Sequence, residues 1–267
     1  MTTMRPEQPT PEYVEGHNLL AGKVVVVTAA AGAGIGAAVA RRALEEGAAM
    51  LVISDTHERR LGEYRDSLAA EFGEDRVRAL AVDVTDEAQV QALLDIADEH
   101  GGVDVMINNA GLGGTADVLE MADDEWSKVL DITLTGTFRC VRAAGNRMRA
   151  AGTRGVIINN ASVIGWRAQE GQAHYAAAKA GVMALTRCAA LDVAPHGIRI
   201  NAVAPSLAMH PFLAKVTSDE LLAELKQREA FGRAAEPWEV ANVMVFLASD
   251  YSSYLTGEVV SVSSQRA

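Results

Sequence analysis

Aromatic side chains are scarce in this chain: Phe, Trp and Tyr together make up 5% of its 267 residues. A core short of rings must be filled by aliphatic and small side chains, a composition that suits helices packed closely on a sheet. Positive charge is also in short supply. Lys and Arg number 24 against 35 Asp and Glu, for a formal net charge of −11. That balance argues against a nucleic-acid or anionic-membrane surface, since both need clustered cations, but it leaves room for a local basic patch. There are two cysteines, Cys140 and Cys188. Neither has a second Cys or a His at metal-ligand spacing, so no metal site is expected, and both read as small hydrophobes in a reducing compartment. No apolar run reaches the roughly 18 residues of a membrane span. The opening MTTMRPEQPTPEYVEGH holds prolines and no hydrophobic stretch, which excludes a signal peptide. A cytoplasmic location is the expectation. With 49% apolar and 22% charged residues, disordered and fibrous classes are excluded as well.

What is present is alternation. Short β-branched runs occur at 23–28, 50–54, 77–82, 103–107, 155–159, 198–203 and 258–262. Between them lie stretches with helical periodicity at 35–46, 61–72, 87–100, 124–149, 175–193 and 236–247. Strand and helix at this cadence predict βαβ units, and strands without polar alternation predict a parallel sheet buried on both faces. After residue 18 no linker interrupts the pattern. The reading is therefore a flexible N-terminal arm over 1–18 and one doubly wound α/β domain over 19–267.

The first strand runs into AAAGAGIGAAVARRALEEG. A strand, a glycine turn and a helix N-terminus make an anion cradle suited to a dinucleotide pyrophosphate, with Gly32, Gly34, Ile35 and Gly36 as contacts. Asp55 ends the second strand about 20 residues later, where a carboxylate accepts from ribose hydroxyls. It would repel a 2′-phosphate, so NAD is favoured; His57, Arg59 and Arg60 follow closely and leave NADP open. A methyltransferase places its cofactor on a similar turn, and the turn alone does not separate the two.

Residues 155–205 separate them. Ser162 follows a strand, and Tyr175 and Lys179 stand at i and i+4 on a helix, so phenol and ammonium share one face. Moving a hydride from carbon requires moving a proton from its oxygen. A free phenol titrates near pH 10, and a neighbouring cation brings it towards neutral pH. Ser162 can hold the substrate oxygen beside the phenol.

With the turn AAAGAGIG, Asp83-Val84, Asn108-Asn109-Ala110-Gly111, Ser162, Tyr175-x-x-x-Lys179 and Asn201-x-Val203-x-Pro205, the chain resembles the short-chain dehydrogenase/reductase family over residues 20–262. The resemblance implies a single Rossmann domain with a seven-stranded parallel sheet flanked by helices on both faces, and a homotetramer or homodimer. It implies Ser162, Tyr175 and Lys179 as the catalytic group, with Tyr175 and Lys179 also touching the cofactor. Asp83 and Val84 would contact adenine, Asn109, Ala110 and Gly111 would line the cofactor, and Pro205 with Ser206 would open the loop over the nicotinamide. Three residues depart from the family pattern: Ala29 where Gly is common, Thr133 where an Asn is usual, and Ser206 after Pro205.

Substrate contacts are expected from 112–116, 163–172 and a lid over 207–233. The lid carries Met209, His210, Phe212, Leu213, Lys215, Lys226, Arg228, Phe231 and Arg233, which suggests a hydrophobic skeleton and an anion site for coenzyme A phosphates. The stretches NASVIGWRAQ, HYAAAKAGVMALTRC and FGRAAEPWEVA resemble an actinobacterial subgroup labelled 3-oxoacyl-carrier-protein reductases and linked to steroid C/D-ring breakdown. This implies a hydroxyl or ketone substrate on an indane-type CoA thioester. An NADPH-dependent 3-oxoacyl thioester reductase and a non-catalytic dinucleotide-binding sensor are the alternatives.

Overall fold

The computed structural model describes residues 7–209 and 219–265. Residues 1–6 of the expected arm, and His210, Phe212, Leu213 and Lys215 of the expected lid, lie outside the described residues. The apolar runs form β1 (Val24–Val27), β2 (Met50–Asp55), β3 (Val77–Ala81), β4 (Val105–Asn108), β5 (Val156–Asn160), β6 (Arg199–Pro205) and β7 (Val259–Val262). Between them stand α1 (Ile35–Glu45), α2 (Glu58–Phe72), α3 (Glu87–Asp98), α4 (Asp123–Leu130), α5 (Gly136–Ala151), α6 (Ala173–Val193), α7 (Asp219–Arg228) and α8 (Pro237–Ala248).

Among the described residues the strands make one seven-stranded, wholly parallel sheet in the order β3-β2-β1-β4-β5-β6-β7. Successive side chains point to opposite faces. Val25 and Val27 of β1 therefore pack with Val39 and Leu44 of α1, Leu61 of α2 and Met244 of α8, while Val24 and Val26 pack with Leu93 of α3 and Met148 of α5. Both faces are covered, which explains why the strands lack polar alternation. Cys140 lies in the second cluster, where burial pushes its thiol up to about 12. The chain winds outward from β1 to β3 and then returns to place β4 on the other side of β1. That reversal opens a crevice at the carboxyl ends of β1 and β4, where ligands of doubly wound sheets bind. Among the described residues, no helix is long and apolar enough to cross a membrane.

Two stretches differ in detail from the sequence reading. The helix expected over 124–149 is interrupted by a π turn at Asp131–Thr135 between α4 and α5. A π turn admits one extra residue into the helical ladder. Here the buried Thr133 accepts from Leu112 N–H at 2.9 Å and donates to the Leu112 carbonyl, while its own carbonyl takes the Thr137 hydroxyl at 2.7 Å. The segment expected as an arm is laid against α1. Buried Glu46 accepts from the backbone of His17 at 2.7 Å and Leu19 at 3.0 Å, and Arg42, paired with Glu46, donates to the carbonyls of Val14 and Glu15. The Tyr13 ring meets Trp238 edge-on at 5.3 Å.

Candidate active site

The glycine turn is shaped by close approach on one side and open space on the other. A Cβ on Gly36 would stand 2.2 Å from the Ala29 carbonyl oxygen and 2.4 Å from Asn109 Nδ2, so only glycine lets α1 start this close to β1. Gly32 adopts φ +115°, and a Cβ on it or on Gly34 would meet nothing within 4 Å. Gly34 caps α1 without a side-chain hydrogen bond, and Ile35 is the first helical residue. Ala29, in place of the family's glycine, takes a left-handed φ of 52°. Asp55 closes the turn from β2: its carboxylate accepts from Ala31 N–H at 3.1 Å and His57 N–H at 2.9 Å. Arg59, which could offset that charge, is paired with Glu63 at 2.7 Å.

The other expected cofactor residues ring the same crevice. Asp83 is exposed after β3, with its carboxylate accepting from Thr85 N–H at 2.9 Å. Val84 is buried against Gly136, where a Cβ would approach it to 2.5 Å. The N–H groups of Asn109 and Ala110 both donate to Thr28 Oγ1, at 3.0 and 3.1 Å, which fixes the ends of β1 and β4 together. Pro205 ends β6, and Ser206 N–H donates to the Val262 carbonyl at 3.2 Å.

Ser162, Tyr175 and Lys179 converge beyond the carboxyl end of β5. Ser162 is buried and accepts from Ile164 N–H at 3.3 Å, with its hydroxyl on the side of the Tyr175 phenol, whose ionised form it favours. Lys179 Nζ sits 5.6 Å from the Tyr175 ring centre and donates to the Asn160 carbonyl at 2.6 Å. A Cβ on Gly111 would be 3.4 Å from that Nζ, and one on Gly113 would be 3.8 Å from the Tyr175 ring. Burial lowers the Lys179 ammonium to about 8. Burial also raises the Tyr175 phenol above its ordinary value, and the Ser162 hydroxyl opposes this only in part. The sequence reading had Lys179 bring the phenol down. In the isolated chain desolvation of the phenol dominates, and the group that lowers it is Ser162.

Two of the cations expected to form an anion site within 207–233 have acidic partners among the described residues. Arg228 pairs with Glu224 at 2.6 Å, and Arg233 is held by both oxygens of Glu239 at 2.6 and 2.8 Å. A network that the sequence does not announce joins two of the loops expected to contact substrate. Arg167 donates to Gln265 Oε1, Gln265 Nε2 donates to buried Glu229 at 2.9 Å, and Glu229 also takes Ser264 Oγ at 2.9 Å and Leu207 N–H at 3.3 Å. Trp166 stands half exposed beside it.

The family model described as enoyl-(acyl carrier protein) reductase matches residues 29–264. The chain is 63% identical over 256 residues to a Mycobacterium tuberculosis protein, with 96% of this chain and 97% of that one covered. That protein is named (5R,7aS)-5-hydroxy-7a-methyl-1-oxo-2,3,5,6,7,7a-hexahydro-1H-indene-carboxyl-CoA reductase. The present chain is also 44% identical over 246 residues to cis-4-hydroxycyclohexanecarboxylate dehydrogenase of Sinomonas cyclohexanicum, covering 91% of this chain and 95% of the relative. The crystal structure of a short chain dehydrogenase from Mycobacterium smegmatis superposes with a TM-score of 0.85 at 57% identity, covering 97% of this chain and 99% of that one. With likeness of this extent on a doubly wound sheet whose crevice holds Ser162, Tyr175 and Lys179, the chain belongs to the short-chain dehydrogenase/reductase family of oxidoreductases, which use nicotinamide dinucleotides.

Proposed function

We propose that the protein is a cytoplasmic, NAD-dependent dehydrogenase that interconverts a secondary ring hydroxyl and a ketone on an indane-type carboxyl-CoA thioester. The convergence of Ser162, Tyr175 and Lys179 at one edge of the sheet carries the reaction class. The substrate class rests on the name of the relative that is 63% identical. The cradle fits a dinucleotide. Gly32 and Gly34 leave open space above a helix start that lacks a side-chain cap, and the carboxylate of Asp55 suits a free ribose better than a phosphorylated one.

A nicotinamide dinucleotide held by the turn after β1 and by Asp55 would supply the acceptor, or the donor, for the hydride at the carbinol carbon. The chain supplies everything else. Ser162 donates a hydrogen bond to the substrate oxygen and holds it beside Tyr175. In oxidation the hydroxyl proton passes to the Tyr175 oxygen as the C–O bond becomes a carbonyl; in reduction the phenol returns it. Because burial alone keeps the phenol above its ordinary value, a positive charge brought in beside it is required to make it a base near neutral pH. Lys179, charged below about pH 8, adds its field and binds the nicotinamide ribose.

Trp126, Phe138 and Leu191 are exposed on α4, α5 and α6, and these faces support assembly into a homotetramer or homodimer, read by light scattering. The function is tested with purified protein, NAD and NADP, and two thioesters, a ring-hydroxyl carboxyl-CoA and a straight-chain 3-hydroxyacyl-CoA. Turnover of the ring substrate with NAD is expected, and Tyr175→Phe should remove it by at least about a hundredfold, in line with loss of a general base. A preference for NADP with the straight-chain thioester would replace this reading by a 3-oxoacyl reductase.

A further inference from the structure

We infer that Asn160 is a positioning residue that couples the glycine turn to Lys179. β5 is apolar until its last two residues, Asn159 and Asn160. Asn159 belongs to the sheet interior, where it accepts from Asn108 at 2.8 Å and donates to Thr186 at 2.9 Å. Asn160 faces a different set of partners. Its backbone carbonyl receives Lys179 Nζ at 2.6 Å, and its side-chain amide donates to Asn109 Oδ1 at 2.8 Å. Asn109 in turn donates to the Ala29 carbonyl at 3.0 Å. Three hydrogen bonds thus run from α6 across the ends of β5 and β4 to the turn before α1.

Both ends of this chain are constrained. Ala29 takes a left-handed φ of 52°, which a residue with a Cβ rarely adopts, and the Asn109 bond holds its carbonyl there. Gly36 packs so closely on Ala29 and Asn109 that the first turn of α1 follows their position. At the other end, Lys179 is buried and receives no compensating charge among the described residues. Among the described residues, the groups facing it are the Tyr175 ring from its own helix, Gly111 after β4 and the Asn160 carbonyl, and of these only Tyr175 is titratable. The Asn160 carbonyl therefore fixes where the ammonium points. Asn160 Oδ1 is buried without a partner, a cost that a purely packing residue would not carry.

The inference rests on the reading of Lys179 as a residue that binds the dinucleotide. Its test uses binding alone. The native protein, Asn160→Ala, Asn109→Ala and the double variant are titrated with NADH and NADPH by fluorescence. With the tighter of the two, Asn160→Ala should weaken binding about tenfold. In the Asn109→Ala background the same substitution should change it less than twofold, because the link is already cut. Unchanged affinity in Asn160→Ala, or losses that multiply, would overturn the coupling. Should Asn109→Ala not fold, the pH dependence of binding decides. Asn160→Ala keeps the backbone carbonyl but frees it from the Asn109 bond, and an ammonium whose acceptor is no longer held in place gives up its proton more readily, so the high-pH loss of affinity should begin at lower pH in Asn160→Ala, and an unmoved onset refutes the link. The underlying reading fails separately, if Lys179→Met keeps native affinity for the dinucleotide.

Discussion

Gly36→Ala puts the geometry of the glycine turn to a quantitative test. The added carbon would stand 2.2 Å from a carbonyl oxygen and 2.4 Å from an amide nitrogen, roughly 1 Å inside ordinary contact. The carbonyl belongs to Ala29 and the amide to Asn109, and the two are bonded to each other, so neither can swing away without breaking that bond. The clash is therefore met by moving the turn or tilting α1. Overpacking of this kind costs about 1–3 kcal/mol. Alanine's helix preference over glycine returns at most about 1 kcal/mol. Because both contacted atoms are held by their mutual bond, the clash lies in the upper part of that range, about 2–3 kcal/mol, which leaves a net loss of about 1–2 kcal/mol and, at about 2–4 °C per kcal/mol for a chain of this size, lowers Tm by about 2–8 °C. Gly62 in α2 is the matched control. A Cβ there meets nothing within 4 Å, and its φ is not left-handed, so Gly62→Ala should raise Tm by a few degrees. Thermal melts with and without saturating NADH give the functional half. The ligand-induced rise in Tm should survive in Gly62→Ala and shrink in Gly36→Ala, because the part displaced is the pyrophosphate cradle. A Gly36→Ala protein that melts and responds to NADH as the native one does would refute the argument.

The pH dependence of stability follows from the buried groups. Lys179 titrates near 8 when folded against an ordinary 10.5, so the unfolded chain binds that proton more tightly, and stability rises with pH above about 8. Cys140, pushed from 9.0 to about 12, acts in the opposite sense from about pH 9, and the raised phenols of Tyr64 and Tyr175 add to it above pH 10. The net rise is confined to pH 8–9 and amounts to about 1 kcal/mol; urea midpoints at the two pH values should show it, and Lys179→Met should flatten it. Thr133→Val strips both hydrogen bonds from the Leu112 backbone and should cost about 2–3 kcal/mol in urea unfolding, whereas Thr133→Ser should cost about 1 kcal/mol. Equal losses in the two variants would mean that the hydroxyl does not anchor the π turn.

The sheet was legible because its strands are valine- and isoleucine-rich runs bounded by turns, and a run buried on both faces has no polar alternation to obscure it. The Tyr175–Lys179 relation was legible because i and i+4 on a helix is fixed geometry. The π turn was not. Apolar spacing continues smoothly through 124–149, and the extra residue is held by the Leu112 backbone, which lies 21 positions before Thr133 in the chain. Asn159 and Asn160 look alike in sequence as polar residues closing a strand; only alternation of the two side chains in space sends one into the sheet and the other towards Asn109. The pairing of Arg228 with Glu224, by contrast, is an i,i+4 contact that the sequence did display, and weighing it would have removed one cation from the expected anion site.

The strand order also has a consequence for the nascent chain. β1 and its partner β2 are separated in the chain by α1 alone, but the other edge of β1 is filled by β4, and the Val24–Asp104 bond that closes the pair spans 80 positions. Until residues 105–108 leave the ribosome, a four-valine edge with unpaired backbone groups stays open to any other strand. Chains arrested between β3 and β4 should therefore aggregate, and those released just past β4 should not.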